Sequence, residues 1–438
     1  MLIKQFETTK RWLRPGLGVK RWLTVLFIGI TILARGFALL LRDLYQFTGY
    51  PTIIRILALQ DLPRWLRASI FGGVGVGLIL TSFYQINKTF VRALLPPETD
   101  AAKMADMLHT ARRREKGPKI VTIGGGTGMS MLLSGLKPYT DNLTAIVTVA
   151  DDGGSSGRLR RSLGILPPGD FRNCIAALAD DESLMTQLFQ YRFAKQGEEN
   201  GLGGHSFGNL FITALVAVTG SFEQALVESG RVLAVRGLIL PSTLKDVTLY
   251  ADVSSEGGAT QVRGESAIPN SDYPIERVYL EPDQPPAYPG AVKAILDADL
   301  IMLGPGSLYT SILPNLLVPE ISQALRVCQA PKIYICNVAT QKGETDTYSL
   351  NDHVRALENH IGPGLLTHVL ANNNLAYPLP SSLGRDLVIP SLPSKIRYRL
   401  VEVDVIDESR PWRHDSVKLA KQLISWYQTE IQGRITEV

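Results

Sequence analysis

The chain has 438 residues, enough for one large or two medium domains with an ample core. Its three cysteines (Cys174, Cys328, Cys336) and six histidines show no paired spacing, which argues against a zinc cluster or disulfide framework and fits a reducing compartment. The net charge of +4 hides a division: residues 1–117 carry 18 Lys/Arg against 7 Asp/Glu, and the remainder carries 27 against 34. A basic front on an acidic body argues against nucleic acid as the body's ligand and for a membrane near the front.

Two apolar segments occupy that front. Segment 22–41 is 20 residues with one charge, Arg35, and segment 68–87 is 20 residues with none. Both lengths suit a bilayer core of roughly 30 Å. The first is too long and too far from the start to be a cleaved signal. Arg35 would snorkel or face a partner helix, and Gly73 with Gly77 would let helices approach closely. Lys4, Lys10, Arg11, Arg14, Lys20 and Arg21 precede the first span, and Lys88 and Arg92 follow the second. Both ends then sit in the cytoplasm. Four arginines in the intervening 42–67 weaken that bias, so a hairpin lying on the membrane surface is the alternative. The expected layout is a two-pass anchor over 1–92 in the inner (plasma) membrane, a helical linker over 93–117, and a cytoplasmic body over 118–438.

The body opens with a short apolar strand, the turn Gly124-Gly125-Gly126-Thr127-Gly128, and a helix. Glycines bring the backbone close to a bound anion, and the helix start offers free N–H groups and a positive dipole end. The spacing is neither that of a dinucleotide fingerprint nor that of a P-loop. A second strand, 143–149, runs into Asp151-Asp152-Gly153-Gly154-Ser155-Ser156-Gly157-Arg158. In a parallel sheet both loops would share the edge where ligands bind. One aspartate would hold a ribose hydroxyl or a phosphate-bound Mg²⁺ and the other would cap the loop. Asx-turn chemistry is the plainer reading for either one.

Pro167-Pro168-Gly169 forces a loop, and Asp170 falls where the N-cap of a helix at 172–180 is expected. Arg158, Arg160, Arg161 and Arg172 nearby suggest an anion pocket. Gly204-His205-Ser206-Phe207-Gly208-Asn209 leads straight into a helix; it has the letters of a nucleophile elbow but lacks the preceding strand. His205 could take a proton or bond a phosphate oxygen. Alternation over 247–253, 260–265 and 275–281 predicts an antiparallel insert. Strands at 298–303, 332–337 and 367–372 follow. They end respectively in Gly304-Pro305-Gly306-Ser307-Leu308-Tyr309, in Asn337, and in a loop reaching Tyr377. An amphipathic helix at 415–431 closes the chain. Five strand ends bearing Gly, Asp, Asn or Ser predict a ligand cleft along one edge of a Rossmann-like, doubly wound, mainly parallel α/β sheet.

The motifs Gly-Gly-Gly-Thr-Gly, Ala-Asp-Asp-Gly-Gly-Ser-Ser-Gly-Arg, Pro-Pro-Gly-Asp-Phe-Arg-Asn, Gly-His-Ser-Phe-Gly-Asn-Leu, Gly-Pro-Gly-Ser-Leu-Tyr-Thr-Ser and Thr-Gln-Lys-Gly-Glu-Thr-Asp together resemble the gluconeogenesis factor family (YvcK type). This family is a branch of the CofD-like group named for 2-phospho-L-lactate transferase. The resemblance covers about 118–431, and a membrane-anchored form of the cyanobacterial kind fits best.

The resemblance implies a nucleotide sugar of the UDP-N-acetylglucosamine type as ligand and a role in cell shape and wall synthesis during gluconeogenic growth. It places Tyr377 and the stretch Arg413-His414-Asp415 at the nucleotide sugar and makes Ser416 a regulatory phosphorylation position. The transferase branch implies instead a Mg²⁺-dependent transfer from a nucleotide diphosphate carrier. Its turn and Asp pair match Gly124–Gly128 and Asp151/Asp152, but its acidic acceptor stretch is replaced here by Pro167–Asp170. The candidate catalytic residues are Asp151, Asp152, Asp170 and His205. The candidate ligand-binding residues are Gly124–Gly128, Asp151, Asp152, Ser155, Ser156, Arg158, His205, Ser206, Asn209, Gly304, Gly306, Ser307, Tyr309, Asn337, Tyr377 and Arg413. Cell-wall synthesis proteins as partners and assembly into a homo-oligomer stay open.

Overall fold

The computed structural model describes residues 112–433 apart from 181–183, 195–200, 256–257, 272 and 391–397, together with scattered positions between 27 and 110. The chain divides into two units, Met1–Arg113 and Arg114–Val438. In the first, the expected span 22–41 lies almost wholly outside the described residues. Within 68–87, residues 72–77, 79–81 and 83–84 are helical, with Val74, Val76, Leu80 and Phe83 exposed. Among the described residues no helix is long and apolar enough to cross a membrane.

The second unit is a Rossmann-like α/β fold. Its seven strands are β1 (Ile120–Gly124), β2 (Leu143–Val147), β3 (Leu238–Pro241), β7 (Leu300–Leu303), β8 (Lys332–Ile335), β9 (His368–Asn372) and β10 (Arg399–Val403). They form one parallel sheet in the order β10-β9-β8-β7-β1-β2-β3. The central strands β1, β7, β8 and β9 are buried throughout and read as continuous apolar runs, as a sheet covered on both faces requires. The edge strands β3 and β10 are largely part-exposed, and the sequence pattern missed both.

The insert is a three-stranded antiparallel sheet in the order β5-β4-β6, built from β4 (Thr248–Ser255), β5 (Gly258–Arg263) and β6 (Ile275–Glu281). It interrupts the crossover between β3 and β7, close to where alternation placed it.

Helix α1 (Gly126–Leu136) follows β1, α2 (Gly154–Leu163) follows β2, and α3 (Gly169–Leu178) comes next. Then come α4 (Leu184–Gln190), α5 (Phe207–Thr219), α6 (Phe222–Val232), α7 (Pro289–Leu296), α8 (Leu313–Leu316), α9 (Pro319–Val327), α10 (Leu350–Ile361) and α11 (Ser416–Trp426). Asp415 caps α11 by accepting from Val417 N and Lys418 N at 2.9 and 2.7 Å. Helix α11 packs on α1 at Gly135, where an added Cβ would lie 2.1 Å from the Ser416 carbonyl oxygen. Asp415 and Ser416 therefore serve this junction.

Candidate functional site

Strand order turns at β1: the chain proceeds to β2 and β3 on one side and to β7–β10 on the other. Ile123 lies opposite both Ile146 and Leu303, so β1, β2 and β7 reach the carboxyl edge at similar heights. This is the switch point at which α/β sheets bind ligands. There the Gly125–Gly128 turn meets the loop after β7 backbone to backbone. A Cβ on Gly128 would sit 2.5 Å from the Pro305 carbonyl oxygen, so only glycine allows the approach. Asn315 ties the junction, with its Nδ2 donating to the Gly124 oxygen at 3.0 Å and the Ser311 oxygen at 2.8 Å.

A cleft of about 410 Å³ opens at this point. One wall is the turn itself, with Pro305, Gly306, Ser307, Thr310 and Ser311. Thr127 and Gly128 stand in the first turn of α1, where amides have no intrahelical acceptor. Asn337, Gln341 and Glu344 line it as well, and Glu265 and Pro269 come from the insert. Arg385, Arg410, Trp412, Arg413 and His414 complete the lining. Asn337 Nδ2 donates to the Gly306 oxygen at 2.9 Å and Gln341 Oε1 at 3.0 Å, which fixes the loop after β7. The Ser307 hydroxyl donates to the buried Glu344 carboxylate, and burial raises Glu344 above the usual carboxylate range. His414 donates from Nε2 to the Cys336 oxygen at 3.1 Å, and burial pulls its pKa down to about 4. It is therefore neutral near pH 7 and holds its loop in place.

Carboxylates crowd behind the glycine turn. Asp170 was expected to cap its own helix; instead the cap of α3 is Pro168, and Asp170 reaches back to accept from Gly126 N at 2.7 Å. The amides of the turn are thus not all bare, since an internal anion occupies one of them. Burial, and then the neighbouring Asp151, push Asp170 up to about 6. Asp151 accepts from Gly153 N at 2.9 Å and is raised chiefly by burial. Glu265 is pushed up to about 8 by burial, with Asp151, Asp170, Asp152 and Glu344 adding repulsion. Asp151 and Asp152 do different jobs: Asp152 accepts from Ser266 N at 2.9 Å and anchors the insert. Among the described residues no group of three His, Cys, Asp or Glu side chains converges to hold a metal ion.

Several expected residues lie elsewhere. Tyr309 is buried, with its hydroxyl 2.8 Å from that of Tyr348, and belongs to the core. Tyr377 lies outside the cleft lining, hydrogen-bonded to Glu408 beside the Arg410–Arg413 segment, which it props. Arg160 is no phosphate ligand: its guanidinium donates to Asp246 at 2.7 Å and to the Val247, Ala150 and Asp151 carbonyls. Ser206 caps α5, accepting from Asn209 N. Ser155, Ser156, Arg158, His205 and Asn209 gather away from the cleft lining, around the start of α2. Sequence reasoning missed Trp412, Arg385, Arg410, Glu265 and Glu344. The stretch Arg410-Pro-Trp-Arg413 was legible as an aromatic between two cations, but nothing local said that it lines the same cleft as the turn.

The family model for 2-phospho-L-lactate transferase CofD matches residues 120–431. The gluconeogenesis factor of Bacillus subtilis is 48% identical over 320 residues, covering 70% of this chain and 97% of that protein. The chain belongs to the CofD-like family, among the gluconeogenesis factors. A relative from Nostoc sp. is 44% identical over 429 residues, 95% of this chain and 92% of its own length. The crystal structure of a UPF0052 family protein from Bacillus halodurans matches with a TM-score of 0.64 at 41% identity. It covers 70% of this chain and 99% of that one.

Proposed function

We propose that this gluconeogenesis factor binds a nucleotide sugar of the UDP-N-acetylglucosamine type in the switch-point cleft and regulates cell shape and wall synthesis during gluconeogenic growth. One observation carries the reading. The glycine turn and Arg385, Arg410, Trp412 and Arg413 line one cleft of about 410 Å³, a space of nucleotide size. The amides and guanidinium groups suit a diphosphate, and the half-buried indole suits a base. The two apolar segments of the front would tether the body to the inner face of the plasma membrane, where wall precursors and wall-synthesis proteins are found.

Titration calorimetry of the full chain with UDP-N-acetylglucosamine, with and without Mg²⁺, tests this. Saturable metal-independent binding that falls away in Trp412→Ala and Arg413→Ala is expected; no heat with any UDP-sugar ends the reading.

The Asp151/Asp170 pair favours a second reading as a transferase acting on a nucleotide diphosphate donor. Mg²⁺ takes one or two carboxylates together with substrate phosphates. Asp151 is close enough to raise Asp170, and Asp152 close enough to raise Asp151, so Asp151 with either neighbour would hold it. The ion would neutralise phosphate charge. Product formation from such a donor, lost in Asp170→Asn, would move the protein to that class.

A further inference from the structure

A second polar cluster lies outside the cleft lining, where the starts of α2 and α5 meet. His205 Nδ1 is 3.0 Å from Ser155 Oγ, and Asn209 Nδ2 donates to Ser155 Oγ at 3.0 Å and Ser156 Oγ at 3.5 Å. All four side chains are more than nine-tenths buried. The ten-residue α2 and thirteen-residue α5 both turn a positive dipole end toward this place.

Three guanidinium groups surround it. Arg158 and Arg192 both hold His205 below its ordinary range, after burial, and Arg192 does the same to Arg172. Their hydrogen bonds go to neutral groups: Arg158 to the Gly203 oxygen at 2.9 Å, Arg192 to the Gly204 oxygen at 2.8 Å, and Arg172 to Asn173 Oδ1 at 2.8 Å. Among the described residues none of the three forms a salt bridge, although Asp151 and Asp170 act on Arg172 from farther off.

Gathering like charges over a buried imidazole is unfavourable unless an anion joins them. One buried donor asks for it, and one buried acceptor asks for a donor beside it. Arg172 Nε and Asn209 Oδ1 have no hydrogen-bond partner, and Arg172 is only 8% exposed and Asn209 2%. An unmade hydrogen bond at a buried group is costly.

We propose that Ser155, Ser156, His205, Asn209 and the arginines 158, 172 and 192 form a second anion site, separate from the cleft, that takes a phosphate group. Phosphate oxygens give Arg172 Nε its acceptor, and a phosphate that keeps one proton gives Asn209 Oδ1 its donor. Arginine forks match phosphate geometry, and the serine amides in the first turn of α2 add neutral donors. The phosphate is either free or the head of a phosphate monoester.

The test follows the ring signals of His205 in the full chain by histidine-labelled NMR, assigned with His205→Gln. Inorganic phosphate and glycerol 3-phosphate are the two probes. Each should raise the His205 pKa, because the added anion offsets the arginines. The exposed pair Arg158→Gln/Arg192→Gln should weaken phosphate binding about tenfold or more and leave the UDP-N-acetylglucosamine titration of the cleft unchanged. Tighter binding of the monoester identifies the head of a small metabolite, and tighter binding of inorganic phosphate identifies the free ion. A His205 titration indifferent to both probes, or a double variant that binds them as the unaltered chain does, overturns the site whatever the cleft binds.

Discussion

The turn after β1 and the turn after β2 are built alike. Each opens its helix with a glycine in the left-handed region, Gly126 at φ +67° and Gly154 at φ +48°. Each has an aspartate folded onto its amides, Asp170 on Gly126 and Asp151 on Gly153. What surrounds them differs. The first turn lines a cleft shared with arginines and an indole. The second lies beside buried Ser155, His205 and Asn209 among three guanidinium groups. The same local device thus lines a nucleotide-sized cleft in one place and borders a buried polar cluster in the other. A glycine turn says that an anion fits; only the residues brought in from distant segments say which anion.

The hardest blow to this contrast is Gly128→Ala. The new methyl would meet the Pro305 backbone at 2.5 Å, and no flexible side chain is there to yield. Overpacking of this kind costs about 1–3 kcal/mol, and the displaced amides should take nucleotide-sugar binding below detection. Denaturant unfolding and calorimetry check the two halves. An alanine variant that binds normally would mean that the turn does not form the wall of the site.

Asp170 provides the next test, through pH. Its pKa in the fold is about 6 against an ordinary aspartate value of 3.8. The folded state therefore holds a proton that the unfolded chain has released. The stabilising contribution is complete below about pH 4 and is lost as pH rises to about 6, worth about 3 kcal/mol for a two-unit shift. Asp170→Asn keeps an acceptor for Gly126 N and should flatten that part of the stability curve. An unaltered slope would show that the carboxylate is better solvated than its burial implies.

Much of this was legible in the sequence, for identifiable reasons. Continuous apolar runs gave β1, β2, β7, β8 and β9, and small residues at their ends marked the carboxyl edge. The edges of the sheet were missed because β3 and β10 are short and part-exposed, without a clean period. Asp170 was placed in the right loop and given the wrong partner, because a cap and a contact 44 residues away look identical in sequence. Tyr309 and Trp412 show the same limit. Each is an aromatic beside small or charged residues, yet one is buried against Tyr348 and the other lines the cleft.

Trp412 sharpens the comparison because an aromatic wall distinguishes the cleft from the pocket at α2. Stacking of a base on an aromatic ring is worth about 1–3 kcal/mol, so Trp412→Ala should weaken nucleotide-sugar binding roughly 5- to 150-fold. Trp412→Phe should recover most of it. Tyr377→Ala should act indirectly, by loosening the segment held through Glu408, and Tyr377→Phe should reveal how much of that prop is the hydroxyl. Equal losses in both Trp412 variants would point to a structural role for the indole.

The smallest effect separates the two turns most cleanly. Gly154 has a positive φ, but an added Cβ would meet nothing within 4 Å. Gly154→Ala therefore carries backbone strain without a clash, about 1–2 kcal/mol. Because Gly154 lies outside the cleft lining, that loss should appear in denaturant unfolding while the UDP-N-acetylglucosamine titration stays where it was. Phosphate response at His205 should weaken, since Ser155 and Ser156 follow directly on the strained residue. If the nucleotide sugar loses affinity and phosphate does not, the roles of the two turns are reversed, and the cleft extends across Asp151 to the start of α2.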